Sequence, residues 1–332
     1  MPNNIPDLRV TLDGVDLTSK IRPRLMSLTI SEKRGGEADQ LELVIDDSDG
    51  KMALPKAGAV LHVQIGWLQG SEVTAGLVDK GSFKVDEVEH KGSPDQISIK
   101  GRSADFTSEL RNRRAKSWHD ITLGTVISEV ARRNGLTPRV APALASIALK
   151  SVIQSRESDM ALMRRLGREH DAVATVKRGA LIFSPVGAGQ TTTGKAIPSL
   201  TLRRRDGDQH SYRIAKREES EGVTASYHDR RQARRHDVTV GKAGGARRLS
   251  RTYASEGHAR TAAKSAHRRA TRQPVTFDYN LALGQQGIAP ERKVKLVGFK
   301  AEIDAVSWLV SEVTHTLSDR GYTQQVKLER AP

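Results

Sequence analysis

The stretch Leu61-His-Val-Gln-Ile-Gly-Trp67 sets Leu61, Val63, Ile65 and Trp67 on alternate positions, with polar or small residues between them. Successive side chains of a strand point to opposite faces, so this period of two gives one apolar face. The pattern recurs on both sides. Leu8, Val10 and Leu12 alternate up to Asp13-Gly14, a hairpin signal. Leu41, Leu43 and Ile45 alternate before the polar stretch 46–50, and Phe83 with Val85, then Ile97 with Ile99, flank the loop 91–95. Closely spaced strands with one apolar face each predict a small antiparallel barrel or sandwich over residues 1–105.

Beyond residue 106 the period changes. Leu123, Val126, Ile127, Val130 and Ala131 follow the spacing of one helical face, with Thr122 as N-cap and Asn134-Gly135 as the stop. A second helix starts at Ser158 with Leu162, Met163 and Leu166 inward, and Val173, Val176, Leu181 and Phe183 form a hairpin about 177–180. Residues 187–199 are rich in Gly, Thr and Ser and read as a loop. Period-two stripes return near Val294, Leu296 and Trp308 and run to Leu328. Between them, Ala259, Ala262, Ala263, Ala266 and Ala270 line one face of a helix whose other faces carry Arg260, Lys264, Arg268, Arg269 and Arg272. The expected fold is β-rich α+β. Two small antiparallel β-barrel domains, 1–105 and 191–332, flank an α+β insertion at 106–190, with an Arg-rich helical insertion about 200–275. Trp67 and Trp308 are expected as core or interface anchors.

At 332 residues and 37 % hydrophobic, the chain can build more than one core, while aromatics make up only 4 % and mean hydropathy is −0.50. No cysteine is present, which excludes disulfides and thiolate metal sites and fits assembly in a reducing cytoplasm. No apolar run approaches membrane-span length, and Met1 to Pro6 lacks the layout of a signal peptide, so no stable membrane association is expected. The charge of +15 is unevenly placed: residues 1–105 hold 13 Lys/Arg against 17 Asp/Glu, whereas residues 200–275 hold 19 against 8. Modules of opposite sign imply different neighbours.

Chemistry has few footholds. Gly189 to Ala196 approaches a phosphate-binding loop, but Ala196 replaces the Mg²⁺-holding hydroxyl and Pro198 stands where the first helical turn belongs. His210, His228 and His236 lack the one-turn spacing of a zinc hydrolase and sit among arginines. No nucleophile motif accompanies Ser184 or Ser199, and the acid pairs Asp46-Asp47 and Glu218-Glu219 sit in surface-like segments. The start of the segment 122–136 is faintly similar to a LysM repeat, against the plainer reading of a core helix. No catalysis, cofactor or metal is expected. What stands out is a basic contact patch: Arg230, Arg231, Arg234, Arg235, Arg247, Arg248, Arg251, Arg268, Arg269 and Arg272. Such a patch suits phosphates or an acidic protein surface. Only Tyr212, Tyr227 and Tyr253 interleave within 200–275, too few for a single-strand stacking platform. An Arg-rich nucleic-acid-binding protein is therefore the alternative reading.

The segments 122–136 (TLGTVISEVARRNGL), 154–166 (QSRESDMALMRRL), 179–183 (GALIF) and 298–323, with Trp308, Val313, His315, Leu317 and Gly321-Tyr322-Thr323, resemble the phage late control gene D tail proteins. The opening strand and turn, Leu8 to Ile21, resemble them too. The resemblance implies the structural baseplate hub of a contractile phage-type tail, related to the N-terminal half of type VI secretion VgrG. Such hubs are homotrimers of paired β-barrels that ring the tail channel, through which DNA passes in transit. Implied partners are a central spike protein, here a separate chain, the tail tube protein, and tape-measure and other baseplate proteins. The implied location is the tail baseplate of a virion or tailocin particle.

Overall fold

The computed structural model describes residues 4–35, 37–104, 108–215, 221–229, 232–272 and 275–332. The period-two runs of the first third become β1 (Ile5–Leu12), β2 (Val15–Asp16), β3 (Leu25–Lys33), β4 (Gln40–Asp46), β5 (Val60–Gln69), β6 (Gly76–Lys91) and β7 (Gln96–Ser103), with one turn of helix, α1 (Thr18–Ile21), after β2. Asp13 and Gly14 both have positive φ (48° and 85°), the backbone demanded by a two-residue hairpin that follows strand twist. The middle third holds β8 (Arg113–Thr122), α2 (Leu123–Arg133), β9 (Thr137–Val140), α3 (Pro142–Ala145), β10 (Ala148–Ser158), α4 (Asp159–His170), β11 (Ala172–Lys177) and β12 (Ala180–Pro185). The last third holds β13 (Leu200–Arg203), β14 (Gly207–Ile214), β15 (Gly222–Asp229), β16 (Arg234–Gly241) and β17 (Arg247–Tyr253). It continues with α5 (Glu256–Arg272), β18 (Val275–Leu281), β19 (Lys293–Val297), α6 (Ala301–Asp304), β20 (Ser307–Ser318) and β21 (Gly321–Arg330).

The strands of the first third and, of the last third, β13, β14 and β18 to β21 belong to one sheet of 13 strands, rather than to two detached ones. Its order is β14-β18-β21-β20-β3-β4-β7-β6-β5-β1-β2, with β19 also on β20 and β13 on β19. The joint is the antiparallel pair β3–β20, in register from Ser27 opposite Ser318 to Lys33 opposite Glu312. Two cores nevertheless lie on this sheet. One gathers Leu8, Val10, Ile30, Leu43, Val63 and Trp67, and reaches Leu317 and Tyr322. The other gathers Phe277, Tyr279, Leu296, Trp308, Val313 and Val326.

The middle third has its own core around α2 and α4, faced by the ribbon β8–β10 and the sheet β11-β12-β9. Thr122 caps α2 by accepting the Thr125 amide at 3.2 Å, and Ser158 caps α4 by accepting the Ala161 amide at 3.2 Å. The expected helical insertion over 200–275 is corrected. β13 and β14 are strands of the main sheet, and β15 to β17 form a three-stranded sheet of their own. Among the described residues there, α5 is the one α-helix, beside a 3-10 turn at Arg204–Asp206, and its Ala259 and Ala263 pack on Val223, Ala225 and Val238. An alanine stripe buries little area, so a flat partner at close range is the arrangement open to it.

Trp67 and Trp308 are both buried, and their indole nitrogens donate to the Gly284 and Ile303 carbonyls at 2.8 and 3.1 Å. Truncating either to Ala should cost about 3–5 kcal/mol. Chemical denaturation of Trp67→Ala and Trp308→Ala checks this; an unchanged midpoint would mean the stripes are not core.

Candidate assembly site

Along the inward face of β20 the order is Leu317, His315, Val313. Leu317 belongs to the first core and Val313 to the second, so His315 marks the seam between them. It stands opposite Gln324 on β21 and diagonally across from Glu32 on β3. His315 Nε2 lies 3.1 Å from Glu32 Oε2 and 2.9 Å from Lys80 Nζ, and Lys80 reaches Glu32 at 3.2 Å. On its other side, His315 Nδ1 lies 2.8 Å from Tyr322 Oη and 2.9 Å from Gln324 Nε2. Lys177, the last residue of β11, pairs with Asp39 at 3.1 Å and approaches Glu32 at 3.8 Å, tying the middle third to the seam. Burial alone would raise the Glu32 carboxyl, but the His315 hydrogen bond and the Lys80 and Lys177 charges hold it well below the usual carboxylate range. Burial pushes His315 down, and Lys80 as well.

Two further clusters fasten the middle third. Asp159, fully buried at the start of α4, accepts from Arg133 Nε at 2.8 Å, Asn134 Nδ2 at 2.7 Å and Gln154 Nε2 at 2.8 Å. This gives a physical role to the Gln154…Ser158-Asp159 pattern, because it locks the end of α2 to the start of α4. At the far end of α4, Asp171 takes a left-handed conformation (φ 51°) and accepts both ends of the buried Arg272 guanidinium at 2.7 and 2.8 Å. Arg34 pairs with Glu329 and Glu291, so this chain of charges runs on into β21.

The sequence-predicted arginines do not form one surface. Arg272 is buried in its ion pair and cannot serve as a contact residue. Arg248 is held by Asp237 at 2.7 Å, Arg235 donates to Ser226 Oγ at 2.8 Å, and Arg251 pairs with Glu169 at 2.8 Å. Arg269 is half-buried and donates to the Arg168 carbonyl. Arg234, Arg247 and Arg268 are exposed, while Arg230 and Arg231 lie outside the described residues, as do Glu218 and Glu219. His210 stacks on Phe277, and His236 on Tyr227. Among the described residues, no group of three or more His, Cys, Asp or Glu is placed to hold a metal ion. The near-phosphate loop is a turn closed by the bridge Gln190 to Ala196, and no helix follows it.

Strand order, paired cores and an α+β middle third define the architecture, and its relatives say what it serves. Residues 40–321 match the model of the phage tail baseplate hub (GPD). The chain belongs to that family. This hub is 38 % identical to the probable baseplate hub protein of Escherichia phage 186, over 98 % of this chain and 92 % of that one. Its fold is similar to the tail protein from Neisseria meningitidis, with a TM-score of 0.72 at 13 % identity, covering 98 % and 97 % of the two chains. It is also similar to the E. coli c3393 protein, a type VI secretion component described as similar to T4 tail proteins gp27 and gp5 (TM-score 0.55, 13 % identity, 92 % and 73 % covered). The hub is thus a structural component of the phage tail baseplate and of the virion. These relationships give no support to the nucleic-acid-binding alternative.

The seam residues Glu32, His315 and Gln324 were not picked out from the sequence as a site. A signal was present: each is a polar residue on an inward register, following Leu28 and Ile30, between Val313 and Leu317, and between Tyr322 and Val326. The clusters also set a pH dependence. Burial, helped by the His258 charge, lowers His170 at the end of α4 to about 4. Between pH about 6.5 and 4 the unfolded chain therefore binds more protons than the folded hub at His170, so stability falls as pH falls through that window. His315 acts with the same sign. Urea unfolding from pH 7 to 4 should show this decline, shallower in His170→Gln; a flat profile across the window would contradict it.

Proposed function

We propose that three copies of the hub close head to tail into a ring around the tail axis, joining the tail tube to a spike protein and lining the channel through which DNA passes. The observation that carries this reading is the single sheet with two cores. Each chain then contributes two strand units, the barrel-like modules 1–105 and 191–332, with 106–190 as the insertion. A ring of three presents six such units, which meets a sixfold tube on one side and a threefold spike on the other. Tape-measure and other baseplate proteins are the further neighbours of such a ring. The absence of any assembled nucleophile, base and orienting group in the sequence fits a purely structural role.

The charge division supports the head-to-tail contact. The acidic 1–105 module of one copy can face the basic 200–275 segment of the next, with Arg234, Arg247 and Arg268 among the exposed cations of the patch. A heterologous contact of this kind must close, or it runs on into a filament. The Debye length shrinks from about 10 Å at 0.1 M salt to about 3 Å at 1 M, so the electrostatic part of the contact weakens with salt. Light scattering on the co-expressed hub and spike should give three hub chains per complex, with a smaller trimer fraction in high salt. A stable dimer or hexamer of hub chains would overturn the proposal.

A further inference from the structure

Between the end of α4, the end of α5 and the turn after β3 lies a cavity of about 330 Å³. Its walls are built from Gly35, Gly167 and the backbone-rich run Ala172 to Ala174, where side chains are small or missing. The two glycines are required by close approach. A Cβ on Gly35 would meet Val173 Cγ1 at 2.7 Å, and one on Gly167 would meet the Ala172 carbonyl at 2.7 Å. Five guanidinium groups line the space: Arg34, Arg164, Arg168, Arg269 and Arg272. They face three carboxylates, Glu37, Asp171 and Glu329.

The carboxylates are already engaged. Asp171 gives both oxygens to Arg272, Glu329 is shared by Arg34 and Arg272, and Glu37 lies 3.2 Å from Lys33. Among the described residues, no ion pair engages Arg168 or Arg269. The carbonyl ends of α4 and α5 account for part of this positive charge, as the Arg269 bond to the Arg168 carbonyl illustrates. That bond takes one of five guanidinium donors, and the fork of Arg269 keeps the rest. Burial lowers the Arg269 pKa; Asp171 opposes this, while the Arg272 and Arg168 charges add to it. A half-buried cation in excess is relieved by an anion.

We propose that this cavity is a binding site for a small oxyanion of the phosphate or polycarboxylate class, held by Arg168 and Arg269. Planar guanidinium forks match such oxygens in pairs. The volume is at the lower end of ligand pockets, which suits a compact ligand. Because Arg168 lies on α4 of the middle third and Arg269 on α5 of the basic unit, a bound anion links these two, beside the cavity wall that Arg34 after β3 and Glu329 of β21 supply.

The test is titration calorimetry of the intact chain with inorganic phosphate and, separately, with citrate, in low salt, with chloride at matched ionic strength as reference. Saturable binding of at least one oxyanion is expected. It should weaken about tenfold or more in Arg168→Gln and in Arg269→Gln, as loss of a charged hydrogen bond implies. Arg168 is exposed, so its replacement leaves the fold intact, and Arg320→Gln, at an exposed position that does not line the cavity, should bind as the parent does. Phosphate binding alone would place the ligand in the phosphate class, and citrate binding alone in the polycarboxylate class. No saturable binding of either, heats matched by chloride, or undiminished binding in both variants would overturn the proposal.

Discussion

The hub depends on a buried carboxylate–imidazole–ammonium contact at the seam of its two cores. Glu32, His315 and Lys80 come from β3, β20 and β6, so the contact spans the one strand pair that joins the two halves of the sheet. Buried charges are costly to desolvate, and removing one partner strands the others. Here each is met: Lys80 by Glu32, Glu32 by His315 and Lys177, and the imidazole by Tyr322 and Gln324 on its far side. An apolar seam would pack the two cores into one without fixing where one ends. A polar seam that is satisfied in only one register specifies that point, a role buried polar groups serve in other assemblies.

The same logic organises the attachment of the middle third. Its own core would let it rotate against the sheet, but Lys177 reaches the seam and Asp171 receives Arg272 from α5. Both bonds sit at element ends, where backbone groups are unpaired and charge is most useful. α5 is the dependent partner. Its alanine face buries too little area to hold it alone, and its position follows from the β15–β17 sheet on one side and the Arg272–Asp171 pair at its end. The arginine-rich composition of this region is therefore partly internal wiring and only partly surface.

Much of this architecture was legible in the sequence. The period-two stripes of Leu61 to Trp67 and of Leu41 to Ile45 give strands, the capped run Thr122 to Asn134 gives α2, and Asp13-Gly14 gives a hairpin, because each rests on local backbone geometry and one-sided burial. The family was legible as well, since motifs in the right order across the chain outweigh any single one. The strands β15 to β17 were not recognised. Val223, Ala225 and Val238 are sparse apolar residues among arginines, and they become a core only once the alanine face of α5 lies over them.

What the sequence alone determined is the alternation of strand and helix, the apolar faces, and the acidic and basic division of the chain. Those properties depend on residues close together along it. Tertiary structure alone decided that β3 pairs with β20, that Glu32 meets His315 across 283 positions, and that Arg272 is spent on Asp171 rather than shown to a partner. Period two states which face of a strand is inward but not which strand lies beside it, and a charged residue carries no mark of whether its counter-ion is solvent or a buried carboxylate. Those choices are settled only when long-range pairing removes the group from water.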